Sequence, residues 1–185
     1  MFNIKKYNEI NKFLKKTSNS AKIIAISKNH SRESVLQAIN SGVHIFGENR
    51  VQEAQDKFKL IKENNPKIEL HLTGPLQSNK VKIAIHLFDV FHTLDREKIA
   101  REFSKYSDLL TNKKIFLQIN TGKENTKSGI FPEETKDFLF FLSNEMKLTI
   151  RGLMCIPPVD DDPAYHFSKL KFLADENNIK ELSIG

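Results

Sequence analysis

Ile23–Phe46 runs IIAISKNHSRESVLQAINSGVHIF. Its first segment, Ile23–Ser27, is apolar, short and rich in isoleucine, which suits a strand covered on both faces better than a helix. Ser31 is placed to cap a helix from about Arg32, and Gly42 to stop it. A second apolar run, Val43–Phe46, follows at once. Strand, helix and strand in so short a space form a crossover unit, and crossovers join parallel strands.

The alternation continues outward on the C-terminal side. Val51, Ala54, Phe58 and Ile61 recur at helical spacing ahead of a third strand, Glu69–Thr73. A helix near Asn79–Leu87 leads to a fourth strand, Asp89–Thr93. Asp95 is placed to cap the next helix, whose buried face is Ile99, Phe103, Tyr106 and Leu110. The fifth strand is Ile115–Asn120. Pro132 with Glu133 and Glu134 forms a helix first turn, where proline costs nothing and acids suit the dipole. The sixth strand is Leu148–Met154, and a helix near Tyr165–Asn177 precedes the seventh, Glu181–Ile184. On the N-terminal side, Met1 to Lys16 carries apolar residues at helical spacing, an extra helix ahead of strand one. Seven strands with six crossover helices predict a single α/β domain over residues 1–185, built on a parallel sheet. A doubly wound open sheet satisfies this pattern. A closed (β/α)8 TIM-type barrel also does, given one further βα unit.

Composition narrows the function classes. No apolar run approaches the roughly 18 residues a membrane span needs; the longest lies around Phe138–Leu142. The N-terminus lacks the continuous apolar core of a secretory signal. The single cysteine, Cys155, builds no disulfide framework and suits a reducing cytoplasm. The net charge of +6 comes from lysines dispersed among acids, with no nucleic-acid motif and no aromatics interleaved with a basic cluster, so nucleic acid is not the expected partner. His30, His44, His86 and His166 have no metal-ligand spacing, and one cysteine cannot form a thiolate zinc site, so no metal is expected.

The polar residues fall at strand ends: Ser27–Lys28, Gly47–Glu48–Asn49, Thr73–Gly74, His92–Thr93, Asn120, Met154–Cys155 and Ser183–Gly185. A barrel collects its chemistry at the C-terminal ends of its strands, whereas an open sheet concentrates it at a switch point; the even spread favours the barrel. Lys28 follows an apolar strand, so burial at the mouth is expected to lower its pKa and free the amine for attack on an aldehyde. The bland alternative is one more surface lysine. Asn49 with Gln52 has the spacing of a capping box, and capping and ligand contact stand as equal readings. His71 is either a site residue or an ordinary core histidine. Thr73–Lys80 is a glycine–proline turn with a polar helix start, able to present N–H groups to an anion or simply a well-capped loop.

Several of these segments together resemble one family. Ala25–Ile26–Ser27–Lys28, Phe46–Gly47–Glu48–Asn49–Arg50–Val51–Gln52–Glu53, His71–Leu72–Thr73–Gly74–Pro75–Leu76–Gln77–Ser78–Asn79–Lys80, Gln118–Ile119–Asn120 with Lys127–Ser128–Gly129, and Arg151–Gly152–Leu153–Met154 with Ile156–Pro157 are similar, in order, to the motifs of the pyridoxal phosphate homeostasis protein family. The resemblance implies the N-terminal barrel fold of alanine racemase (pyridoxal phosphate fold type III), with pyridoxal 5′-phosphate as a Schiff base on Lys28. It implies Asn49 against the cofactor ring, His71 and Met154 lining the site, and Ser183 as a phosphate ligand. It implies a cytoplasmic carrier that keeps a reactive aldehyde at a safe level, serves pyridoxal-phosphate-dependent apo-enzymes, has no catalytic residues, and is monomeric when complete. In the family a further helix and strand follow the Leu182–Gly185 segment, so an eighth βα unit, and with it much of the phosphate cradle, is expected to be missing here. The alternative is a pyridoxal-phosphate-dependent amino-acid racemase, which requires a second domain and a second acid/base. A barrel that has lost its cofactor is a third reading.

Overall fold

The computed structural model describes residues 2–17 and 20–185; Met1, the first residue of the expected N-terminal helical segment, lies outside them. Helix α1 (Ile4–Thr17) precedes an alternation of β1 (Ala25–Ile26), α2 (Arg32–Asn40), β2 (Ile45–Glu48), α3 (Val51–Asn64), β3 (Glu69–Leu72), α4 (Val81–Leu87), β4 (Val90–Leu94), α5 (Glu97–Ser104), β5 (Lys114–Gln118), α6 (Thr135–Asn144), β6 (Gly152–Cys155), α7 (Pro163–Glu176) and β7 (Glu181–Ile184). Short 3-10 turns at Ser78–Lys80 and Pro132–Glu134 lead into α4 and α6.

The expected helix signals are met at α2. The Ser31 side chain accepts from the Ser34 N–H, and Gly42, with φ of 88°, follows the last turn. Gly42 N–H donates to Ile39 O and Val43 N–H to Ala38 O, the paired bonds of a Schellman motif. Val43 therefore spends its N–H on the helix end, and β2 begins two residues later than its apolar run. The same cause trims β6. Leu148 N–H donates to Leu142 O at the end of α6, so the strand starts at Gly152 rather than Leu148. Two capping expectations are corrected. Asp95 does not cap α5, because Arg96 occupies that position and sends its guanidinium to Leu76 O. Asn49 forms no capping box, because Arg50 is the N-cap of α3 and Asn49 turns to Thr73 instead.

All seven strands are parallel, and their order in the sheet is their order in the chain, β1 to β7. A doubly wound sheet reverses its strand order at a switch point; this one does not, which removes the open-sheet alternative and leaves the TIM-type arrangement. The sheet is curled. Strand β7 lies three places from β4, about 14 Å away in a flat ladder, yet Ser183 Oγ is 2.8 Å from His92 Nδ1.

Curling divides the side chains. The convex face packs under the helices in one large core that includes Phe46, Leu70, Leu72, Phe91 and Leu117 from strands and Phe58, Ile61, Ile99 and Phe103 from helices. The expected face of α3 is buried there, as are Ile99 and Phe103 of α5, but α5 ends at Ser104, so Tyr106 falls past it and Leu110 closes a separate 3-10 turn, Ser107–Leu110. The concave face carries a second, small apolar cluster of Val90, Phe116 and Met154.

Candidate functional site

Alternate residues of adjacent strands meet on the concave face, because side chains on a strand alternate with period two. Glu69, His71 and Thr73 project there from β3 and its end, and Val90 and His92 from β4. Register puts Gln118, Met154 and Ser183 on one level across β5, β6 and β7.

A chain of hydrogen bonds crosses this face. Glu69 Oε1 is 2.7 Å from His71 Nε2, His71 Nδ1 is 2.7 Å from His92 Nε2, and His92 Nδ1 is 2.8 Å from Ser183 Oγ. Burial lowers the pKa of both imidazoles: that of His71 against the raising effect of Glu69, and that of His92 to about 3, with the neighbouring His71 adding to the shift. Both rings are therefore neutral near pH 7, and each carries one N–H. The Glu69 carboxylate has none and Ser183 has one O–H, so three hydrogens serve three bonds and every donor points toward Glu69. His92 is also stacked on Phe116, with centroids 4.8 Å apart.

The strand ends above are tied to one another. Thr73 Oγ1 donates to Asn49 Oδ1 at 3.0 Å, and Thr93 Oγ1 donates to Gly74 O at 2.7 Å. Gly74 is packed so closely on Asn49 that a Cβ would stand 2.3 Å from the Asn49 carbonyl oxygen. Asn120 organises the loop after β5 through Glu124 O at 2.8 Å and the Glu124 N–H at 3.2 Å.

Lys28 lies on the turn that leaves β1, beside Asn29 with φ of 62°. It is exposed, so the burial expected at the mouth is not found; β1 ends at Ile26, short of this residue. Beneath it the turn is held from the helix side. Lys57 Nζ donates to Ser27 O and Glu48 Oε1, each at 2.7 Å, and to Glu53 Oε1 at 3.0 Å. Asn29 N–H donates to Glu53 Oε1 and Ser27 Oγ to Glu48 Oε1, each at 2.7 Å.

The five expected site residues are thus placed in three groups. His71 and Ser183 are joined through His92, and Met154 neighbours Ser183 in register. Asn49 is fixed by Thr73 at the end of β2. Lys28 stands on the β1 turn, and among the described residues no hydrogen bond links it to the other four. Sequence reading missed Glu69, His92 as a chain member, and the Lys57–Glu48–Glu53 cluster. The alternation Glu69-x-His71-x-Thr73 signals a shared face, and the four-residue spacing of Glu53 and Lys57 signals a helical ion pair. Two surface clefts, one between α6 and α7 and one around Lys113, Ile115 and Arg151, are lined by none of the five. Among the described residues no His, Cys, Asp or Glu cluster is arranged to hold a metal, and no helix is long and apolar enough to cross a membrane.

Residues 6–182 match the family model described as alanine racemase, N-terminal domain. The pyridoxal phosphate homeostasis protein of Pasteurella multocida is 37% identical over 185 residues, covering 92% of this chain and 78% of that one. The chain belongs to the pyridoxal phosphate homeostasis protein family. A second member, from Vibrio cholerae, is 41% identical over 149 residues, and there the match takes in 78% of this chain but only 63% of the relative. PipY of Synechococcus elongatus, solved without PLP, superposes with a TM-score of 0.87 at 31% identity, covering 98% of this chain and 88% of PipY. PipY with PLP bound superposes at 0.77 and 30% identity, covering 95% and 86%. Alanine racemase of Clostridium difficile superposes at 0.74 over 99% of this chain and 50% of that enzyme, at 16% identity, a likeness of fold alone. The sequential strand order and the curl accompany this match to the alanine racemase N-terminal fold.

Proposed function

We propose that this chain binds pyridoxal 5′-phosphate covalently through Lys28 and holds it for homeostasis rather than transforming a substrate with it. The observation that carries the reading is the place of Lys28. It is an exposed amine at the C-terminal end of a parallel strand, where barrels put their chemistry, in a chain whose relatives are named for pyridoxal phosphate homeostasis. The concave face suits the cofactor. Val90, Phe116 and Met154 offer an apolar wall, Asn49 is oriented by Thr73, and Gly47 and Gly74 let Ile26 and Asn49 pack closely against the strand ends. When bound, the cofactor supplies an aldehyde whose carbon accepts the lysine amine with loss of water. Lys28 would form the bond, Asn49 would face the ring, His71 and Met154 would line the site, and Ser183, whose hydroxyl hydrogen goes to His92, would meet the phosphate only by giving up that bond.

The histidines support a holding role. All four ring nitrogens of His71 and His92 are engaged, and burial keeps both rings neutral. Neither is a free acid or base beside the cofactor. In this reading the protein works in the cytoplasm, passes pyridoxal phosphate to apo-enzymes, and is monomeric with an eighth βα unit bridging the β7 and β1 edges.

Borohydride reduction after incubation with pyridoxal phosphate, followed by peptide mapping, tests the assignment. The pyridoxyl mass is expected on Lys28 and lost in Lys28→Ala, with racemisation of common amino acids no faster than with the free cofactor. Label spread evenly over the lysines refutes the lysine assignment, and turnover that disappears in Lys28→Ala refutes the holding role.

A further inference from the structure

A lysine on an exposed turn has no reason of its own to be selected over the other lysines of this chain. The turn itself, however, is unusually well held. Lys57 is only 7% exposed, and its ammonium has three N–H donors for three acceptors: Ser27 O, Glu48 Oε1 and Glu53 Oε1. Those acceptors come from the residue that follows β1, from β2 and from α3, so one cation joins three parts of the chain. Glu48 is wholly buried and takes a second bond from Ser27 Oγ, while its Oε2 has no partner among the described residues. Glu53 reaches past Lys57 to accept the Asn29 N–H. Burial opposes ionisation of Glu53, but the Asn29 N–H and Lys57 outweigh it and hold the carboxyl below the usual carboxylate range.

The contacts bracket Lys28. The residue before it is held at its carbonyl and hydroxyl, and the residue after it at its N–H. Buried ions that lose one partner leave the other uncompensated, so such a cluster persists only where its geometry is kept whole.

We propose that Lys57, with Glu48 and Glu53, is a positioning group for Lys28, fixing both flanks of the β1 turn so that the amine is presented to the cofactor site. The inference rests on the reading of Lys28 as the attachment residue. Lys57 does not touch the cofactor in this scheme; it acts through Ser27 and, via Glu53, through Asn29.

Two measurements test it in the full chain. Amide exchange at Asn29 is followed in wild type and Glu53→Gln without any ligand, and the variant is expected to exchange at least tenfold faster at Asn29 with the α5 and β4 amides unchanged. Borohydride labelling with pyridoxal phosphate is then mapped in wild type, Glu53→Gln and Lys57→Met, well below each unfolding temperature. Label at Lys28 relative to the other lysines is expected to fall at least fivefold in Lys57→Met and less in Glu53→Gln. A merely structural role lowers the unfolding temperature without moving that ratio. Unchanged selectivity in a folded Lys57→Met overturns the proposal. If Lys57→Met does not fold, unchanged Asn29 exchange or unchanged selectivity in Glu53→Gln overturns it. If wild type is not labelled at Lys28, the attachment reading fails, and Asn29 exchange still decides whether the cluster holds the turn.

Discussion

Gly74 shows how little freedom one residue has at the mouth of the sheet. A Cβ there would meet Asn49 O at 2.3 Å and Asn49 Cα at 2.6 Å, and backbone, unlike the tip of a flexible side chain, does not step aside. Gly74→Ala must push the end of β2 away and turn Asn49 from Thr73. We expect about 1–3 kcal/mol of destabilisation from overpacking and at least tenfold weaker pyridoxal phosphate binding, read by urea unfolding and by absorbance titration. Unchanged affinity removes Asn49 from the site. At this scale Lys28, Asn49, His71, Met154 and Ser183 were legible as candidates, from motif and strand-end position. Their partners were not. That Asn49 bonds Thr73 rather than capping α3, and that His71 reaches Ser183 through His92, depends on strand register and curl, which no local pattern records.

Among the elements, the helices mostly followed their apolar spacing, though the face read for α5 ran past its end at Ser104, and strand starts were the weak point. Val43 and Leu148 look like strand residues because they are buried and apolar, but each gives its N–H to the preceding helix end. Competition for a backbone donor is invisible to hydrophobic patterning. Gly152, at the true start of β6, makes a test of sheet packing. An added Cβ would lie 2.2 Å from the Phe116 ring and 2.5 Å from Glu181 O, so β5 and β7 close over it from both sides. Gly152→Ala is expected to cost about 1–3 kcal/mol in thermal or urea unfolding, with part of the loss recovered by adding Phe116→Leu. A neutral Gly152→Ala contradicts the curl described for β5 to β7.

Across the whole molecule, the buried histidine pair sets how stability responds to acid. His71 and His92 stay neutral in the fold, His92 down to about pH 3, while in the unfolded chain each takes a proton near its ordinary value of 6.5. The unfolded state thus binds more protons below that value, and stability falls as pH drops from 6.5 toward 3, by about 1.4 kcal/mol per unit for His92 while it is neutral in the fold and charged in the unfolded chain, with His71 acting in the same direction. Asp89 and Glu69 favour protonation of His71 and Lys114 disfavours it, so the steeper share belongs to His92. Urea unfolding between pH 7.5 and 4.5 is expected to show a shallower acid slope in His92→Gln than in wild type; equal slopes would mean that His92 is protonated in the fold.

Strand β1 has only two residues in the ladder, paired with β2 among the described residues. A rung that slight adds few backbone bonds of its own, so the turn that follows it is kept in place chiefly by the buried Lys57–Glu48–Glu53 cluster behind it. The residue proposed to carry the cofactor therefore owes its place to buried charge more than to strand pairing. Whatever weakens those ion pairs would free the Lys28 turn first, with the remaining strands as spectators.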